Sequence, residues 1–150
     1  MEICRVAFIG HRTIYASYSL ERKLEDIVKK MLHSKNYVEF YLGRNGDFDI
    51  LAASVIKCAQ SSLGHENSSL ILVQPYAMKD DVYFEKFYDE ISYPISNKTH
   101  HKAAITERNK WMIDNADFLI AYVELNRNGG PMTTLKYAQK KGLKIINLAN

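Results

Sequence analysis

The stretch Asn126-Arg127-Asn128-Gly129-Gly130-Pro131-Met132-Thr133-Thr134 holds the residue types that a phosphate site requires. It lies between an apolar run, Asp117 to Val123, and a helical pattern, Thr133 to Lys141. Glycine lets backbone N–H groups approach an anion, a helix start adds partial positive charge, and the hydroxyls of Thr133 and Thr134 stand where both effects converge. The same string also reads as an ordinary strand-to-helix loop, and short glycine motifs by themselves do not separate the two readings.

Other chemistry-bearing residues fall in equivalent positions, each just after an apolar run. They are Gly10-His11-Arg12-Thr13, Gly43-Arg44-Asn45-Gly46-Asp47, Gln74-Pro75-Tyr76, and the whole loop from Glu124 to Thr134. Arg12 has the fork that grips a phosphate, or it is a surface ion-pair partner. His11 is an acid/base or ligand donor, or it caps a turn. Asp47 is placed to N-cap the helix behind it. Asp49 falls in the first helical turn, where a carboxylate would repel phosphate, so a ribose hydroxyl or a base suits it better. Arg108 lies on a largely apolar helix face, from which it either snorkels outward or enters a cleft. Tyr76, Tyr83, Tyr88 and Tyr93 offer stacking surfaces, although core and interface tyrosines are commoner. Trp111 reads as core. His100 and His101 are adjacent, so neither a helix nor a strand aims both at one metal, and no Cys/His spacing reads as a zinc site. The dinucleotide pattern G-x-G-x-x-G and the P-loop G-x-x-x-x-G-K-[ST] are both absent.

The elements that must hold these loops alternate. Strands are expected at Ile3 to Ile9, Tyr37 to Leu42, Ser69 to Gln74, Phe118 to Val123 and Leu143 to Leu148. Helices are expected at Ser19 to His33, about Asp47 to Ser61, His101 to Asn115 and Pro131 to Lys141, with Gly64 and Gly142 as exits. Residues 76 to 99, rich in Tyr, Lys and Asp, predict a short helix and then a short strand or loop. Alternation of this kind specifies an α/β fold, an open, mostly parallel sheet with helices on both faces. In such sheets ligands bind beyond the carboxyl ends of the strands, which is where all four loops lie.

Composition narrows the class. One domain spanning 1–150 is expected from 150 residues, and 47% hydrophobic residues suffice for a full core. A net charge of +3 without a run of like charge argues against nucleic acid as a partner. No stretch approaches the roughly 18 apolar residues of a membrane span, and Glu2, Arg5, His11 and Arg12 interrupt any leader-like apolar run. Cys4 and Cys58 read as separate buried thiols in a reduced compartment, so a cytoplasmic location is expected.

Four short pieces in register resemble the SLOG superfamily, specifically its YpsA-like branch, related to Lonely Guy and DprA domains. They are Val6 to Arg12; Gly43 to Asp49 with Ala52-Ala53 behind it; Arg108 to Asp117; and Gly129 to Thr134 with Tyr137-Ala138. The resemblance implies a Rossmann-like fold that binds nucleotides or nucleotide-derived ligands, and a homo-oligomer. Relatives in that superfamily include sensors of NAD-derived signals, DNA-processing proteins and phosphoribohydrolases. The enzymatic members carry G-G-x-G-T-x-x-E, whose glutamate supports N-glycosidic cleavage. Here Met132 stands at the third glycine and Lys136 at the glutamate. An ammonium cannot do the work of that carboxylate, whereas phosphate cradling needs only backbone and hydroxyls.

The expected function is therefore binding or sensing of a nucleotide or ADP-ribose-like ligand, with no metal and no further cofactor. The binding residues would be Gly10, His11, Arg12, Gly43, Asn45, Gly46, Asp49, Gln74, Tyr76, Arg108, Asn128, Gly129, Gly130, Thr133 and Thr134. Two alternatives stand beside it: a nucleoside monophosphate N-glycosidase using another carboxylate, Asp49 or Glu124, and a protein-interaction module built on the tyrosine-rich 76–93 segment.

Overall fold

The structure, a computed structural model, describes residues 2–34 and 36–149. Its frame is a six-stranded sheet of order β4-β3-β2-β1-β5-β6, every neighbouring pair parallel. The strands are β1 (Ile3–Gly10), β2 (Tyr37–Leu42), β3 (Ser68–Val73), β4 (Glu90–Ser92), β5 (Phe118–Tyr122) and β6 (Lys144–Asn147). The helices are α1 (Tyr18–Leu32), α2 (Asp47–Leu63), α3 (Asp81–Phe84), α4 (His101–Asp114) and α5 (Gly130–Lys141). The fold class is the expected one, and the unassigned 76–99 region supplies α3 and β4, the strand at one edge of the sheet.

Strand side chains alternate between two cores, as a sheet covered on both faces requires. Val6, Phe8, Phe40, Leu42, Leu70 and Leu72 face the helices α1 and α2. Ala7, Ile9, Tyr41, Ile71, Val73 and Leu119 face α4 and α5. Helix α1 buries Leu20, Leu24, Val28 and Leu32, a stripe at four-residue spacing, and starts where the Ser17 hydroxyl accepts from the Leu20 N–H at 3.1 Å. Helix α5 stops at Gly142, whose φ of 77° is a left-handed cap that glycine adopts without strain.

Several local expectations are corrected. Asp47 does not cap α2: Gly46 holds the cap position, and the Asp47 carboxylate instead accepts from the Ile14 N–H at 3.2 Å, fastening the β1–α1 connection. Cys58 is exposed and Cys4 only half-buried, because Cys58 falls on the solvent side of α2. Trp111 is half-buried against Tyr41, ring centroids 5.3 Å apart, at the flank of the core rather than inside it.

The 74–93 region is organised by one carboxylate. Asp81, 5% exposed, accepts from Gln74 Nε2 at 2.8 Å, from the Met78 N–H at 2.9 Å and from the Tyr93 hydroxyl at 2.6 Å. Burial pushes its pKa up, but the three hydrogen bonds outweigh burial and hold it below the usual carboxylate range. The same contact, with burial, pushes the Tyr93 hydroxyl up to about 12.

Gly10, at the end of β1, is small for a packing reason. A Cβ there would land in the Phe48 ring, which α2 presses onto the strand end. Gly10→Ala is expected to destabilise the chain by about 1–3 kcal/mol through overpacking. Urea denaturation checks this, and combination with Phe48→Leu should recover part of the loss, since neighbours are not additive.

Candidate functional site

Strand order reverses between β1 and β5. From β1 the chain builds outward to β2, β3 and β4; from β5 it builds the other way to β6. The loops leaving β1 and β5 therefore part to opposite sides and leave a crevice at the carboxyl edge of the sheet. A cleft of about 290 Å³ occupies it. The end of β1 supplies Ile9 and Gly10, with Arg12 just beyond; the β2–α2 connection supplies Asn45, and the first turn of α2 supplies Asp49. The start of α5 supplies Gly130 and Pro131, and Ile105, Arg108 and Asn109 of α4 close the side.

Two opposite charges are buried in its walls. Arg108 is 2% exposed; its Nη1 donates to the Val73 carbonyl at 2.8 Å and its Nε to Asn109 Oδ1 at 2.8 Å. The guanidinium passes so close over Gly43 that a Cβ there would stand 2.6 Å from Nη1. Gly43 is thus a spacer beneath an arginine. Burial lowers the Arg108 pKa and Asp49 raises it in part, yet a guanidinium keeps its proton. Asp49 is 8% exposed, and its Oδ2 accepts from the Asn45 N–H at 3.0 Å. Desolvation raises its pKa, against the Asn45 hydrogen bond and the charges of Arg108 and Arg44. No ion pair within 4.0 Å joins Asp49 to Arg108 among the described residues. At the lip, Arg12 is exposed, and its side chain donates to none of the described residues.

Six of the expected binding residues line this cleft: Gly10, Arg12, Asn45, Asp49, Arg108 and Gly130. Gly43 and Gly46 stand behind it for packing, Gly46 against the backbone of Arg12. His11 is buried and serves the frame: its Nε2 accepts from the Glu124 N–H at 2.8 Å, tying the ends of β1 and β5 together. Gln74, 1% exposed, is engaged with Asp81, and Tyr76 stacks on the His101 ring at 4.2 Å, so the β3 loop does not line the cleft. Asn128 and Gly129 are exposed beside it, Gly129 capping α5 with φ 136°. The hydroxyls of Thr133 and Thr134 donate back to the carbonyls of Gly129 and Gly130, both at 3.0 Å, so their protons are committed to the helix. Met132 is 8% exposed and anchors α5 in the core, a job that a glycine there could not do. Glu124 does not line the cleft.

Ile9, Ile105, Asn109 and Pro131 were not expected in the wall. Asn109 carried a signal, since it follows Arg108 directly and orients it; the apolar residues carried none, since a wall isoleucine and a core isoleucine look alike in sequence.

The sheet superposes on DNA processing protein A from Streptococcus pneumoniae with a TM-score of 0.66 at 14% identity, over 95% of this chain and 49% of that one. The Helicobacter pylori protein of the same name, described for its single-stranded DNA binding mode, gives 0.64 at 18% identity, over 95% and 63%. The molybdenum cofactor carrier protein from Chlamydomonas reinhardtii gives 0.57 at 12% identity, over 97% and 76%. The fold is Rossmann-like. At these identities the likeness establishes that fold alone, and the chain spans about half the length of the first of these proteins. The YpsA-like branch is not singled out. No protein-family model and no curated protein sequence matches the chain. The expectation against nucleic acid, drawn from net charge, gains no support from these structures. Among the described residues no helix is long and apolar enough to cross a membrane, and no group of three or more His, Cys, Asp or Glu is placed to hold a metal.

The His11 contact yields a pH prediction. Its pKa is lowered from 6.5, first by burial and then by the Arg127 charge, with Glu124 opposing. The unfolded chain therefore takes up this proton first: the contribution is complete above pH 6.5 and is lost as pH falls through the lower folded value. His11→Gln, which keeps an acceptor but does not titrate, is expected to lose less stability than the wild type between neutral and mildly acidic pH. Chemical denaturation across that range measures the difference.

Proposed function

We propose that this chain binds a nucleotide or nucleotide-derived ligand in the β1/β5 cleft, its phosphate between Arg12, Arg108 and the start of α5. The observation that carries the reading is a buried guanidinium with an uncommitted edge in a switch-point cleft. Arg108 uses Nε and Nη1 within the protein, while its Nη2 donates to none of the described residues. A fold that needed only a wall would not hold a desolvated cation there. Arg12 adds a second free fork at the lip, and the α5 N-terminus adds unpaired N–H groups with the favourable end of its dipole.

Gly130 supports the same reading. A Cβ there would meet nothing within 4 Å, so packing does not explain the glycine; a closely approaching ligand does. The cleft volume of about 290 Å³ suits one nucleotide unit rather than a whole dinucleotide. Lys136, exposed on α5 at the position of the Lonely Guy glutamate, leaves binding favoured over N-glycosidic cleavage. In this reading the domain works as a ligand sensor in a cytoplasmic homo-oligomer. A nucleotide within a single nucleic-acid strand is a second reading, favoured by exposed Tyr15 on the connection that carries Arg12, by exposed Tyr18 at the start of α1, and by the DNA-processing proteins of like fold.

A nucleoside monophosphate at a hundred times its dissociation constant should stabilise the protein by about 2.7 kcal/mol; flat melting curves across a nucleotide panel would count against the proposal. Gly130→Ala should leave the fold as stable or more so, by up to about 1 kcal/mol, while weakening the nucleotide by about tenfold. Arg12→Ala should stay within about 0.5 kcal/mol of wild-type stability and weaken binding by about tenfold. Melting curves and calorimetric titration of both variants separate the two effects.

A further inference from the structure

Asp49 is an unusual companion for a phosphate site. It is 8% exposed, lines the same cleft as Arg108, and uses only Oδ2 within the protein. Its Oδ1 accepts from none of the described residues. Nor is that oxygen sealed away, since the one enclosed side-chain polar atom without a partner among the described residues is Gln60 Oε1. Oδ1 therefore keeps some exposure, in a side chain that lines the cleft. A buried carboxylate and a buried guanidinium gain most from direct contact, because each is costly to desolvate alone. Here they flank a void without forming an ion pair within 4.0 Å. The void between them complements a molecule with an anionic oxygen at one end and a hydrogen-bond donor at the other.

We infer that Asp49 is the specificity-determining residue of this cleft and that the ligand is a hydroxyl-bearing phosphate monoester, a pentose phosphate unit whose sugar hydroxyl donates to Asp49 Oδ1. The inference rests on the phosphate reading above and adds a selection rule to it. The Asp49 carboxylate opposes the phosphate of either ligand, but only the sugar phosphate offsets that opposition with a hydroxyl the carboxylate accepts, so it alone spans the two side chains. One carboxylate thereby rejects abundant inorganic phosphate and accepts the phosphorylated sugar, the combination of repulsion and attraction on which specificity depends.

The test is calorimetric titration of the wild-type chain and D49N with ribose 5-phosphate, ethyl phosphate and inorganic phosphate. Ethyl phosphate carries the same kind of monoester without hydroxyls. In D49N the amide oxygen retains the Asn45 N–H and the amide group faces the cleft, so the charge-assisted hydrogen bond to the sugar hydroxyl is replaced by a weaker neutral one. The wild type is expected to prefer ribose 5-phosphate over ethyl phosphate by about tenfold or more, the loss expected for a hydrogen bond to a charged group. In D49N that ratio should fall to within about threefold, and inorganic phosphate should bind about tenfold tighter than to the wild type. Equal wild-type affinity for the two monoesters overturns the role of Asp49 while leaving the phosphate site standing, and it needs no variant to fold. An unchanged ratio in D49N overturns it as well. No binding of any of the three compounds overturns both this inference and the phosphate reading.

Discussion

Arg108 reaches from the middle of α4 across the carboxyl edge of the sheet and donates to the carbonyl of Val73, the last residue of β3. On the way its guanidinium lies on Gly43, the residue after β2. That single side chain fixes α4 against the ends of two strands and makes one wall of the cleft. The rest of the site depends on it: Asn109 is held by the Nε hydrogen bond, and the charge of Arg108 offsets part of the cost of burying Asp49. A desolvated cation is tolerable there because a carbonyl, an amide oxygen and a nearby carboxylate share it.

The opposite wall depends on a second tie. β1 and β5 are neighbours in the sheet, yet their loops diverge, and divergence would leave the crevice floor loose. The neutral His11 ring accepts the Glu124 N–H, the main-chain N–H of His11 donates to the Tyr122 carbonyl at 3.3 Å, and Arg127 Nη1 donates to the Thr13 carbonyl at 3.1 Å. These contacts cross the switch point. Glycines then allow the crowding: Gly10 under Phe48, Gly46 against Arg12. A glycine-rich crest is thus two things at once. At Gly10, Gly43 and Gly46 the missing side chain is filled by protein; at Gly130 it is filled by nothing in the protein.

That difference explains how far residue patterns reached. Gly10, Gly43, Gly46 and Gly130 look alike in a linear string, and the sequence offers all four equally as ligand-binding glycines. Only tertiary packing separates them, because what a Cβ would meet comes from elements remote in sequence. The threonines show the same limit. Thr133 and Thr134 have the right chemistry in the right turn, but a hydroxyl at a helix start satisfies the nearest carbonyl first. Gln74 and Tyr76 stood at a strand end, the right address, and were claimed by Asp81 and His101 instead.

From its sequence alone this chain determined its layers. Alternating apolar runs and helical stripes specify strands that bury both faces and helices that cover them, since period and burial are local properties of the string. The loops that carry chemistry followed from the same periodicity, because a strand's end is also where its loop begins. The tertiary structure alone decided the strand order, the position of β5 beside β1, and therefore which loops share a crevice. It also decided that Arg108 turns inward and that Asp49 stands apart from it across a void. Those facts depend on distances between residues far apart in the chain, and a linear pattern holds no such distances.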